Sequence, residues 1–169
     1  MRADTLFRLL ARKEGSSRPA PTGREQQDPN KQERTLAGTV ITFGTFDVLH
    51  VGHVRVLNRS AALGDRLVVG VSSDALNFSK KGRNPVFSQD ERVEIVSSLK
   101  VVDRVFVEES LEQKREYVLE HQADILVMGD DWSGKFDYLS DICKVIYLPR
   151  TPSVSTTAII EHISATGMG

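Results

Sequence analysis

Two of the chain's four histidines, His50 and His53, stand three residues apart around Gly52, at the end of the segment Gly44-Thr45-Phe46-Asp47-Val48-Leu49-His50-Val51-Gly52-His53. Residues three apart on a helix share a face, so both imidazoles can donate to one anionic group. Gly52 has no Cβ, so a phosphate could approach the backbone there. Metal ligation is a competing use of such a pair, and a structural hydrogen-bonding role is another. A zinc site would need a further ligand at suitable spacing, which the single Cys143 and the distant His121 and His162 do not supply. Type and spacing together favour phosphate binding.

A phosphate corner of this kind needs a strand before it and a helix after it. Thr39-Val40-Ile41-Thr42-Phe43 is a β-branched and aromatic run punctuated by Gly44, which reads as a strand. From Val51 to Leu63 apolar residues recur at helical spacing, at Val51, Val54, Leu57 and Ala61. A helix starting near His50 aims free N–H groups and its positive dipole end above the strand.

The pattern then repeats. Arg66 to Val71 reads as a buried strand, Ser73 to Phe87 as a polar loop, and Ser88 with Glu91 as a capping box opening a helix. Three more apolar runs follow at Val105–Val107, Ile125–Met128 and Val145–Leu148, with a helix over Leu111 to His121. Continuous apolar strands separated by helices predict an α/β fold, a Rossmann-like three-layer sandwich with a central parallel sheet of about five strands. Ligands of such sheets bind beyond the carboxyl ends of the strands.

Composition excludes several function classes. A chain of 169 residues with 40% hydrophobic content supports one domain with a proper core. The net charge of −1 gives no electrostatic reason to expect nucleic acid. One cysteine excludes an intrachain disulfide framework and fits a reducing, cytoplasmic setting. No apolar run approaches the ~20 residues that span a bilayer, and no secretory signal pattern is present. Residues 1–38 differ from the rest: they carry a charge of +3, which leaves −4 for residues 39–169. A short stripe at Leu6, Phe7, Leu9 and Leu10 precedes a Ser-, Pro- and Gln-rich stretch, so residues 1–38 read as a flexible N-terminal extension to a domain at 39–169.

Three blocks carry a family resemblance. His50-Val51-Gly52-His53 after the first strand resembles the nucleotidylyltransferase signature. Arg150-Thr151-Pro152-Ser153-Val154-Ser155-Thr156-Thr157 resembles the second signature of the cytidylyltransferase branch, and Met128-Gly129-Asp130-Asp131-Trp132-Ser133-Gly134-Lys135-Phe136-Asp137 is similar to a block of glycerol-3-phosphate cytidylyltransferases. The resemblance implies transfer of CMP from CTP to glycerol 3-phosphate, with Mg²⁺ bound mainly through the CTP phosphates and no direct protein ligands. It also implies a homodimer and a product for cell-wall or capsular polymer synthesis. Other phosphorylated acceptors, such as an alditol phosphate, an aminoalkyl phosphate or phosphonate, or FMN, are alternatives within the class. A nucleotide-binding module without turnover is the alternative outside it.

Under this resemblance His50, His53, Lys80 and Arg150 are the catalytic set, stabilising charge on the transferring and leaving phosphates. Thr45, Phe46 and Gly52 line the first corner, and Arg92 aligns with an arginine that contacts substrate phosphate. Lys80 lies in a basic group with Lys81 and Arg83, so its register is open by a residue or so. Asp130 and Asp131 offer a carboxylate to the cytosine amino group or to hydrated Mg²⁺, or cap the following turn. Trp132 either stacks on a ligand or packs, and Lys135 is an acceptor-phosphate candidate. Thr151, Ser155 and Thr156 form a second anion site at the start of the last helix. Two departures from the pattern are Lys100, where relatives carry arginine, and Pro152-Ser153, where they carry Glu-Gly.

Overall fold

Each β-branched run forms a strand, because such residues fit a pleated surface that is buried on both faces. The computed structural model of the protein describes residues 38–152 and 155–166. All but Gly38 of the N-terminal extension, together with Ser153, lies outside the described residues. The strands are β1 (Thr39–Gly44), β2 (Arg66–Ser72), β3 (Arg104–Glu108), β4 (Ile125–Gly129) and β5 (Lys144–Leu148). They pair in parallel in the order β3-β2-β1-β4-β5, which is the predicted five-stranded sheet.

Residue alternation along the strands creates two cores. Val40, Leu67, Val69, Val71, Ile125 and Val127 pack with Leu57 of α1 (Val51–Ala61) and Val96 of α3 (Gln89–Ser97). Their strand neighbours Ile41, Val68, Leu126 and Met128 pack on the opposite face with Tyr117 and Val118 of α4 (Lys114–Glu120) and with Phe136 and Leu139. Fully burying each such side chain contributes about 1.5–3 kcal/mol. Helix, sheet and helix therefore form the three predicted layers.

Sheet order also places the site. From β1 the chain winds outward through β2 and β3, then returns to lay β4 and β5 on the other side. A crevice opens between β1 and β4, where the winding reverses, beyond their carboxyl ends.

One stretch departs from the sequence reading. The supposed polar loop from Ser73 to Phe87 contains a two-turn helix, α2 (Asp74–Lys81). Its Ser73 hydroxyl accepts from the Leu76 N–H at 3.1 Å, Asp74 sits in its first turn, and Lys80 and Lys81 sit in its last. These are stabilising placements at the helix ends. Gly82, at φ 66°, closes it in the left-handed conformation that favours glycine. Only Leu76 and Asn77 of this helix are buried, and its eight residues are too few for a repeating apolar stripe to stand out in the sequence. Elsewhere the boundaries move slightly: α1 ends at Ala61, and α4 begins at Lys114. The Ser88–Glu91 capping box forms as read. A last helix, α5 (Thr156–Thr166), completes the chain's described part.

Candidate active site

The turn from β1 into α1 is strained and held from several sides. Phe46 and Val48 take φ values of 52° and 45°. For non-glycine residues such conformations cost on the order of 1–3 kcal/mol each and persist only when surrounding contacts impose them. The contacts are present. Asp47 accepts from the backbone N–H groups of Val86 and Phe87 at 2.9 and 3.0 Å. Arg92 Nη1 donates to the Thr45 carbonyl at 2.7 Å, and the Thr45 hydroxyl donates to Asn77 Oδ1 at 2.7 Å. From α5, the Thr156 hydroxyl donates to the Asp47 carbonyl at 2.9 Å.

This turn delivers the two histidines together. His50 caps α1, and its Nδ1 accepts from the Gly52 N–H at 3.1 Å. A neutral His50 therefore carries its proton on Nε2, leaving that N–H to meet an anion. The rings of His50 and His53 stack with centroids 3.8 Å apart, and Phe46 meets His53 edge-on at 5.4 Å. Burial lowers the pKa of His50. For His53, burial and then the neighbouring His50 push the pKa down to about 4, with Asp47 opposing. His53 Nδ1 is buried and has no partner among the described residues. Both rings are neutral near pH 7, and a phosphate bound beside them would draw them toward the charged form.

Above the strand ends lies a cleft of about 720 Å³. Lys80, Lys81 and Arg83 line one part of it, Asp131, Trp132 and Lys135 another, and Arg150 and Thr156 a third. A neighbouring cavity of about 350 Å³ shares Thr45, Phe46, His53, Arg150 and Thr156 with it and adds His50, Gly52, Thr151 and Ser155. Burial lowers the pKa of Lys80, against the opposing field of Glu108. Arg150 pairs with Asp131 at 2.7 Å across the ends of β5 and β4. Both partners are well exposed, so the bond adds little stability and Arg150 can be shared with a ligand. Ser155 accepts from the Ala158 N–H at 3.1 Å and so caps α5 at the cavity.

A family model described as cytidylyltransferase-like matches residues 41–162. The chain belongs to this family. It is 48% identical over 125 residues to the glycerol-3-phosphate cytidylyltransferase of Bacillus subtilis (strain 168), an alignment covering 74% of this chain and 96% of that one. The enzyme of the same name from Staphylococcus aureus (strain NCTC 8325 / PS 47) is 41% identical over 124 residues, covering 73% and 93%. Among solved structures, the lipopolysaccharide core biosynthesis protein from Thermoplasma volcanium GSS1 aligns with a TM-score of 0.57 at 32% identity, over 67% of this chain and 95% of that one.

Within this cytidylyltransferase-like domain most of the sequence-selected side chains line the two cavities, but three do not. Arg92 is fully buried and donates to the carbonyls of Phe87, Thr45 and Ser72 and to Asp74. A guanidinium with four of its five N–H groups bound inside the protein is not free to grip a substrate phosphate, which corrects the expectation for this residue. Asp130 is exposed and outside both linings, whereas Asp131 faces the cleft. A Cβ at Gly129 would meet Asp131 Oδ1 at 2.5 Å, a contact the exposed end of that carboxylate can relieve by rotating. Lys100 is exposed and also outside the linings. At Gly52, which lines the smaller cavity, the amide N–H is taken up by His50 Nδ1.

The sequence reading passed over Asp47, Asn77, Glu108 and Lys114. Asn77 donates to the carbonyls of Ser72 and Ser73 while its Oδ1 holds Thr45. Glu108 and Lys114, 1% and 0% exposed in their side chains, form a buried ion pair in the cleft lining. A signal for Lys114 existed: it shares a helical face with the buried Tyr117, Val118 and His121, where a lysine breaks an otherwise enclosed stripe. Among the described residues no three His, Cys, Asp or Glu side chains gather as a metal site.

Proposed function

We propose that this chain transfers the cytidylyl group of CTP to glycerol 3-phosphate, giving CDP-glycerol and pyrophosphate. One observation carries the chemistry: the stacked His50–His53 pair faces a cleft that also holds Lys80, Arg150 and the capped start of α5. A phosphate oxygen of the acceptor attacks the α-phosphorus in line, a new P–O bond forms, and the bond to the bridging oxygen breaks. The acceptor phosphate is already ionised, so the protein supplies alignment and charge stabilisation rather than a strong base. His50 donates through Nε2 toward the α-phosphate, His53 serves the same developing charge, and Arg150 and Lys80 neutralise the phosphates on either side.

The acceptor assignment is supported by the relatives, whose names state glycerol 3-phosphate and whose lengths the chain covers at 96% and 93%. Mg²⁺ belongs to the same reading and arrives on the CTP triphosphate. The cleft carboxylates suit that arrangement, since Asp47, Asp131 and Glu108 are each engaged by donors of the protein itself. A homodimer, a cytoplasmic location and a product used for cell-wall or capsular polymers complete the proposal. Among the described residues no helix is long and apolar enough to cross a membrane.

The test is pyrophosphate release from CTP and Mg²⁺ with a panel of phosphorylated acceptors. Release is expected with glycerol 3-phosphate. Release with only another acceptor overturns the substrate, and release with none overturns the enzyme reading.

A further inference from the structure

The chain that leaves β5 has few holds on the rest of the domain, yet it must present Arg150 to the cleft. β5 is an edge strand of the sheet, and its ladder with β4 ends at the pair Gly129 and Leu148. Pro149 follows, exposed and without an N–H to donate. Among the described residues a single hydrogen bond reaches the backbone of Pro149, Arg150 and Thr151: Arg59 Nη1 donates to the Pro149 carbonyl at 2.9 Å.

Arg59 stands in the last turn of α1, 90 residues away along the chain. A cation at the carboxyl end of a helix is favourable in any protein, which accounts for the charge. It does not account for the reach. Fixing a long, half-buried side chain costs rotamer entropy, and here that order is spent on the main-chain acceptor immediately before Arg150.

The two ends of Arg150 are held in different ways. Asp131 holds the guanidinium through an exposed ion pair, which a ligand phosphate can displace. Arg59 holds the main chain through a bond that lies outside that exchange. Once a phosphate has taken the guanidinium from Asp131, the Arg59 bond still fixes the point from which the side chain extends. The helix that supplies Arg59 is capped by His50 and carries His53 in its first turn. One rigid element therefore carries the histidines and grips the segment that bears Arg150.

We propose that Arg59 is a positioning residue for Arg150: by gripping the Pro149 carbonyl it sets the span between the stacked histidines and the arginine that faces them across the transferring phosphate. This rests on the part given to Arg150 in the reaction proposed above.

The experiment is a double-mutant cycle in the full chain. It combines Arg59→Met, which keeps the apolar stem and loses every donor, with Arg150→Ala, and reads kcat/KM for CTP with glycerol 3-phosphate as acceptor. Small misplacements at a reacting centre cost up to about 100-fold, so Arg59→Met alone should lower kcat/KM by about tenfold or more, mainly through kcat. The urea midpoint should change little, because the lost bond is exposed. In the Arg150→Ala background the same change should cost less than about twofold, since residues that act through one another are not additive. Full activity of Arg59→Met overturns the proposal. So does an equal loss in both backgrounds, which would make Arg59 a support of the fold or of another site residue. Should Arg59→Met fail to fold, Arg59→Lys, which keeps the charge at the end of α1 and moves the donor, goes through the same cycle under the same criterion. Full turnover by Arg150→Ala is a different failure, that of the role given to Arg150, and it takes this proposal with it. Absence of turnover in the unaltered protein is the failure of the enzyme reading, and the cycle is then read on CTP affinity by calorimetry, with the same non-additivity required.

Discussion

His53 sits at the point where the chemistry of single residues is most exposed to test. Its pKa of about 4 arises mainly from burial and secondarily from the His50 ring stacked on it. Free protein therefore binds little proton at His53 near pH 6. CTP brings negative charge to the same corner, which favours the imidazolium and raises the pKa. Between pH 4 and the raised value, binding must take up a proton, and CTP affinity must increase as pH falls through that window. Calorimetric titration with CTP at pH 6 in two buffers of different ionisation enthalpy measures this uptake directly. His53→Ala should abolish most of it and lower kcat by about 10²–10³, the loss typical of one preorganised donor to developing charge. Equal proton uptake by the variant would assign the titration to another group. The depressed pKa also has a cost in acid: the unfolded chain takes up a proton near the usual 6.5, the native protein only near 4, so the His53 contribution to stability declines as pH falls across that interval.

At the scale of elements, Arg92 changes role from ligand to brace. Its guanidinium ties α3 to the β1–α1 turn through Thr45, to the end of β2 through Ser72, and to the start of α2 through Asp74. Arg92→Lys keeps the charge and loses the fork, so the buried Ser72 carbonyl or the part-buried carbonyls of Thr45 and Phe87 lose a donor, at about 1–3 kcal/mol for a buried acceptor. Urea denaturation should show an unfolding free energy lowered by that order and a correspondingly lower midpoint, and turnover should fall along with the order of the turn. A variant of normal stability with a raised KM for CTP or acceptor would restore the phosphate-ligand role. This residue also marks the limit of what was legible. Strands and the Ser88 cap could be read because β-branched runs and a capping box are local signals, and His50, His53 and Arg150, which line the two cavities, stand in contiguous motifs, whereas Lys80 lay in a basic cluster whose register the sequence left open. Burial of a charge is a tertiary fact. Nothing beside Arg92 in the chain tells whether the cation faces solvent, a ligand or a carbonyl, and α2 escaped notice because eight residues are too few for its apolar positions to show a repeat.

For the molecule as a whole, charge is distributed against its own average. Residues 39–169 carry a net −4, yet the cleft gathers Lys80, Lys81, Arg83, Lys135 and Arg150 at the strand ends. Cations in a concave, low-dielectric setting focus their field on an incoming triphosphate even when the body is acidic. Residues 1–38 add +3 to the chain, but a charge contributes to that field only within the screening distance, about 8 Å at physiological ionic strength. All the residues assigned to catalysis lie between His50 and Arg150, and the anchoring of β1 begins at Gly38, whose carbonyl accepts from Asp65 and Arg66 at 2.9 and 3.3 Å. Removing residues 1–37 while keeping Gly38 should therefore leave kcat and both KM values at full-length levels, with an unchanged dependence of the CTP KM on salt. A large loss of kcat would place the extension in the active site or in an interface that completes it. A raised KM for CTP that full-length protein also develops at high salt would mean that the extension's positive charge reaches the cleft.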